Sequence, residues 1–163
     1  MKEKDPLHVN ISKFLHVPVF GCFRDKRTHQ ISNKQECIDR IWRIGGQVGW
    51  YYANLLWELR GFIDKFFGGV GLRKGKTQKD KICAGDTIDF WRVLYANHEE
   101  GRLLLFAEMK LPGEAWLEFN VKGNHLEQTA TFRPKGIWGR LYWYAAFPFH
   151  DFIFKGMITN LTK

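Results

Sequence analysis

The last thirty residues most narrow what this chain can fold into. From Pro134 to Thr162 they carry aromatic and aliphatic side chains at helical spacing. Steps of four and three from Trp143 reach Phe147, His150, Phe154, Met157 and Leu161, one continuous stripe. So apolar a helix is stable only against an apolar surface, because helical propensity alone does not hold it in water. The preceding segments offer that surface.

Four strand-like segments come before the helix. Thr87 to Tyr95 is expected to set Ile88, Phe90, Arg92 and Leu94 on one face and Thr87, Asp89, Trp91, Val93 and Tyr95 on the other. Arg102 to Lys110 groups Leu103, Leu105, Ala107 and Met109. Glu114 to Val121 alternates cleanly, with Ala115, Leu117, Phe119 and Val121 opposite Glu114, Trp116, Glu118 and Asn120. His125 to Phe132 sets Leu126, Gln128, Ala130 and Phe132 against His125, Glu127, Thr129 and Thr131. One apolar and one polar face is the pattern of an antiparallel sheet solvated on one side. The links 97–101, 111–113 and 122–124 are short and turn-rich, so the strands should follow one another as hairpins.

Upstream, Phe23 to Ile31 reads as a first strand with a charged middle. Ser32-Asn33 meets Gln35 and Glu36 at capping-box spacing and opens a helix through Ile38, Ile41 and Trp42, which Gly45-Gly46 closes. A second helix is expected from about Trp50 to Phe67, with Leu55, Leu56, Leu59, Phe62, Ile63 and Phe66 on one side and glycines at 68, 69 and 71 ending it. Residues 1–21 read as an N-terminal arm and 22–163 as a single domain. The fold class is α+β: strand, two short helices, a meander of strands, one long helix.

At 163 residues the chain has enough length to bury a core as one domain. Seven Trp and fourteen Phe exceed what such a core demands and favour a wide, aromatic-lined interior. The net charge of +8 raises nucleic acid as a partner. Only residues 73–81 are densely basic, however, and they read as one surface loop, so no specific nucleic-acid binding is expected. Cys22, Cys37 and Cys83 form neither a CxxC pair nor a disulfide framework, which fits a reducing cytoplasm. Met1 is followed by charged residues with no apolar export segment behind them. The most apolar window, Leu141 to Phe149, is nine residues long, far below the roughly 20 that span a bilayer.

The chemistry-bearing motifs are few. Gly71 to Thr77 imitates a phosphate-binding loop, but Val70 stands where the spacing needs glycine, and a helix rather than a strand precedes it. Glycines 68, 69 and 71 fail as a dinucleotide fingerprint for the same reason. No cofactor is therefore expected. The six His show no metal-ligand spacing, and Ser12 and Ser32 stand in no nucleophile elbow. His150 is the titratable group on the helix stripe, either a core-edge histidine or a polar handle or acid–base group inside a cavity. Arg92 and Gln128 each interrupt an apolar strand face and must be paired, by Glu108, by Asp89 or by a ligand oxygen. Pro148 removes a helical hydrogen bond, and Gly136 and Gly139 loosen the helix start; together they leave open a lid motion or a static kink.

In this order of elements the chain resembles the helix-grip superfamily of START-like, or SRPBCC, domains, a curved antiparallel sheet wrapped around a long C-terminal helix. More closely it resembles an uncharacterised domain family found alone or fused behind NmrA-like NAD(P)-binding reductase domains. The matching stretches are Ile44–Tyr52, Leu56–Gly61, Gly68–Arg73, Asp89–Arg92, Ala107–Gly113, Ala115–Glu118, Gly139–Tyr144 and Pro148–His150. The resemblance implies a cavity between sheet and helix for a small hydrophobic molecule of lipid or polyketide type. Trp50, Tyr52, Phe90, Arg92, Met109, Phe119, Gln128, Trp143, Phe147 and His150 are the expected lining. A cyclase, aromatase or isomerase using His150, Glu108 or Asp89 as base is the alternative, as is an accessory module docking on a separate reductase.

Overall fold

The structure, a computed structural model, describes residues 16–45, 81–89, 91–108 and 110–163. It is α+β, with one open six-stranded antiparallel sheet, a short helix and a long C-terminal helix. The strands are β1 (Phe23–Gln30), β2 (Thr87–Ile88), β3 (Trp91–Asn97), β4 (Arg102–Ala107), β5 (Gly113–Lys122) and β6 (His125–Pro134). The helices are α1 (Lys34–Trp42) and α2 (Gly136–Leu161). The expected helix from Trp50 to Phe67, most of the basic run at 73–81 and the first fifteen residues lie outside the described residues.

Strand order is β1-β6-β5-β4-β3-β2. From β2 to β6 each strand pairs with its neighbour in sequence, as the short links dictate, and β1 adds at the far edge beside β6. The cross-strand rows Leu103–Phe119–Gln128–Arg27 and Leu105–Leu117–Ala130–Asp25 define the inner face. Its central leucines and Phe119 are fully buried. The helix α2 packs on β6 and β1, and α1 packs on α2 and β5.

Local chemistry explains where α1 begins. Asn33 caps it, its side-chain oxygen accepting from the Glu36 N–H at 3.2 Å, while the Glu36 carboxylate turns to Arg40 one turn on, at 2.6 Å. The helix then buries Cys37, Ile38 and Ile41. Gly45 follows with φ +77, and a Cβ there would stand 2.4 Å from Ile88 Cγ2, so only glycine fits against β2. The end of α1 and the edge of the sheet are thereby pressed together.

The segment from Thr87 to Tyr95 departs from the expected single strand. Asp89, at φ +53, breaks it, and Ile88 pairs back with Trp91, so both enter the core. Leu94 has no partner in the register, which shifts between Val93 and Tyr95. Trp91 and Val93 face inward and Arg92 outward, and the bulge shifts the phase beyond them, so that Tyr95 faces outward with Arg92 and Ala96 faces inward. The expected placing of Arg92 on the apolar face is corrected accordingly.

The outer face is stitched by cross-strand pairs. Arg102 donates to Glu118 at 2.8 Å and lies over the Tyr95 ring, and Arg133 pairs with Glu114 and covers Trp116. Glu127 holds Lys26 and Lys122. Their hydrogen bonds, Lys122 foremost, keep its carboxyl below the usual range despite the opposing effect of burial.

On α2 the expected stripe is visible, with Trp143, Phe154, Met157 and Leu161 buried and His150 half-buried. Its C-terminal half joins α1 and the inner sheet face in one contiguous cluster of buried side chains. The N-terminal half is different: apolar on both sides, it packs through one and leaves the other in solvent. Gly139 lets this half approach the sheet, since a Cβ there would be 2.3 Å from the Pro112 carbonyl oxygen. That close fit assigns Gly139 a steric role at the helix start.

Candidate ligand site under the final helix

The seam between β1, β6 and the first half of α2 is built from aromatics. Phe23 and Phe132 are cross-strand partners, and Trp143 lies nearly parallel to both rings, at 5.2 Å from Phe23 and 5.8 Å from Phe132. Phe147 and His150 continue the contact from Trp143 along the helix, at 5.7 and 6.2 Å, and His150 reaches Phe154 at 5.5 Å. Offset and edge contacts of this kind add to what area burial alone contributes.

One turn further along the helix the seam becomes polar. Gln128 is buried on β6, and its Nε2 donates to the Phe154 carbonyl at 3.1 Å. Its Oε1 is buried with no hydrogen-bond partner among the described residues. Directly across the register stands Arg27 of β1, which donates from Nη2 to Asp25 at 2.7 Å and to Asp151 of α2 at 2.6 Å. Burial works against the Arg27 charge, but the hydrogen bonds it donates to the two carboxylates, with their charges, outweigh it and raise the guanidinium pKa. Arg27 therefore ties the edge strand to the middle of the helix.

The expected site residues fall into three groups. Gln128, Trp143, Phe147 and His150 come together in this seam, and Phe119, the register partner of Gln128, is fully buried behind it. Arg92 lies on the opposite face, donating to both oxygens of Glu108 and to the Gly85 carbonyl. Trp50, Tyr52, Phe90 and Met109 lie outside the described residues. Of the proposed bases, Glu108 is engaged with Arg92 on the outer face, and Asp89 is buried at the β2–β3 turn, the sheet edge remote from β1. Neither shares a site with His150. The carboxylates on the β1 and α2 side are Asp25 and Asp151, which sequence reasoning missed together with Arg27. The signal was present: Phe23, Asp25, Arg27 and His29 alternate along β1 and are the half-buried set.

Among the described residues no group of three or more His, Cys, Asp or Glu could hold a metal ion, and no helix is long and apolar enough to cross a membrane. No curated protein matches the chain. A family profile does, over residues 22–157, which takes in the sheet, α1 and nearly all of α2. On that match the chain belongs to the family described as Protein of unknown function (DUF2867).

Proposed function

We propose that this chain is a START-like, helix-grip domain that binds a small hydrophobic molecule in the seam between α2 and strands β1 and β6. Its aromatic walls would supply affinity through apolar burial, at about 25 cal/mol per Å² before ordering costs. The observation that carries the reading is the Gln128 Oε1 atom, a buried acceptor with no hydrogen-bond donor among the described residues, at the turn of α2 where the His150 and Phe154 rings meet. An unsatisfied buried acceptor costs about 1–3 kcal/mol, so a fold that keeps one invites an explanation in the form of a donor from outside the chain. A ligand hydroxyl or amide N–H is that donor here. The ligand class is thus a mostly apolar molecule with one hydrogen-bond donor, oriented by Gln128 as pocket ligands are by a few placed polar groups.

The test is native mass spectrometry of the purified protein before and after delipidation, with thermal shifts across fatty alcohols, sterols and polyketides. A bound species carrying a donor group is expected, and Gln128→Leu should fold yet lose most of the shift. Absence of any bound species together with no thermal shift across the library would count decisively against the reading.

A further inference from the structure

The first half of α2 carries a second apolar stripe, on the side away from the inner sheet face. Steps of three and four from Trp138 pass through Leu141, Ala145, Phe149 and Phe152, with Ile137 and Tyr144 alongside. The six large side chains among these are each more than half exposed, on the side of the helix away from Trp143. Val19 and Phe20 are exposed at the same end of the sheet, where β1 begins beside the end of β6. A monomer rarely shows so continuous an apolar surface unless something docks there.

The charges around the stripe choose the occupant. Lys135 at the helix start, Arg140 and Lys155 are all exposed, and none makes an ion pair among the described residues. The one acidic residue of α2, Asp151, is held by Arg27. A second copy is disfavoured, since its α2 would bring the same exposed cations, Arg140 and Lys155, to the contact. Each copy also carries a net charge of +8. Trp, Tyr, Phe and Leu flanked by unpaired cations are instead what a helix lying in a lipid headgroup layer presents.

We infer that the outer face of the first half of α2 seats the protein on an anionic lipid surface, the helix lying in the plane of the interface. This does not depend on the ligand reading above. The test is flotation of the full chain with phosphatidylcholine vesicles, with and without phosphatidylglycerol, at low and high salt. Expected are binding to the anionic vesicles, weakening by salt, and loss of about a hundredfold or more in affinity in Trp138→Glu/Phe149→Glu. Arg140→Glu/Lys155→Glu should weaken binding by about tenfold or more. Both pairs are exposed, so their melting temperatures should match the parent. Three outcomes overturn the inference: binding to neither vesicle, binding that survives both double substitutions, or a concentration-dependent dimer or protein complex abolished by Trp138→Glu/Phe149→Glu in a chain that does not float.

Discussion

Trp143 lies flat against Phe23, the ring planes 6° apart, and so clamps the last helix onto the first strand. Because Trp143 is buried and also stacks on Phe132, its removal strips both ring contacts and leaves a space under the helix. Trp143→Ala is expected to cost about 3–5 kcal/mol, read from urea unfolding curves. Phe147→Ala, at a more exposed position on the same stripe, should cost clearly less. Equal costs for the two would show that Trp143 is not the anchor.

Gly139→Ala sets two effects of opposite sign against each other. Alanine favours a helix interior by about 1 kcal/mol over glycine. Its methyl group, however, would meet the Pro112 carbonyl oxygen and Pro134 well inside contact distance. Backbone atoms yield poorly, so a net loss of about 1–3 kcal/mol is expected. A melting temperature at or above the parent's would refute the close approach.

Arg27 links Asp25 and Asp151, but the two carboxylates are not equivalent, since Asp25 is largely buried and Asp151 is half exposed. Arg27→Ala leaves Asp25 without its partner and should cost about 2–3 kcal/mol. Asp151→Asn should cost under about 1 kcal/mol, the range of exposed pairs. A double-mutant cycle between positions 27 and 151 measures the coupling directly.

Glu127 supplies a prediction about acid. Its folded carboxyl titrates below 4.5 because Lys122 and Lys26 hold the charged form. A depressed folded pKa means that its stabilisation is present above 4.5 and is lost as pH falls through the folded value. Glu127→Gln should therefore melt below the parent at neutral pH, by no more than about 1 kcal/mol of stability given its exposure. The gap should close as pH falls below the folded value.

Cys37 behaves in the opposite sense. Burial pushes its thiol up to about 11, against the opposing charge of Arg40. The raised value keeps its contribution intact below 9.0 and removes it as pH rises towards 11. Under native conditions at pH 8, Cys83, which is exposed, should react with a thiol reagent, while Cys37 reacts only on unfolding. Rapid native labelling of Cys37 would contradict the burial.

The strands that alternate strictly were the most readable part of the chain. On β5 and β6 the side-chain period of two, bounded by short turn links, fixed the inner faces of Ala115–Val121 and Leu126–Phe132 correctly. The segment from Thr87 misled because alternation carries no record of a break at Asp89 or of an unpaired Leu94; each shifts the phase by local backbone geometry. Gln128 was rightly marked as needing a partner, and half of that need is met by the Phe154 carbonyl. Arg27 went unnoticed because a charged residue on a short strand normally faces water, and only its pairing beside β6 turns it inward. The second stripe on α2 was hidden by the first: where nearly every residue is apolar, spacing alone does not say which side meets the sheet.

The position of β1 at the sheet edge has a kinetic corollary. Hairpins from β2 to β6 can zip between sequence neighbours, whereas Phe23 must wait for Phe132, across a loop of about 100 residues whose closure costs roughly 4 kcal/mol in chain entropy. Refolding should accordingly run in two stages, a quick meander and then a late capture of the opening strand. Stacking of Phe23 on the indole at position 143 belongs to that second stage, which makes the contact between first strand and last helix a clock for the slower event.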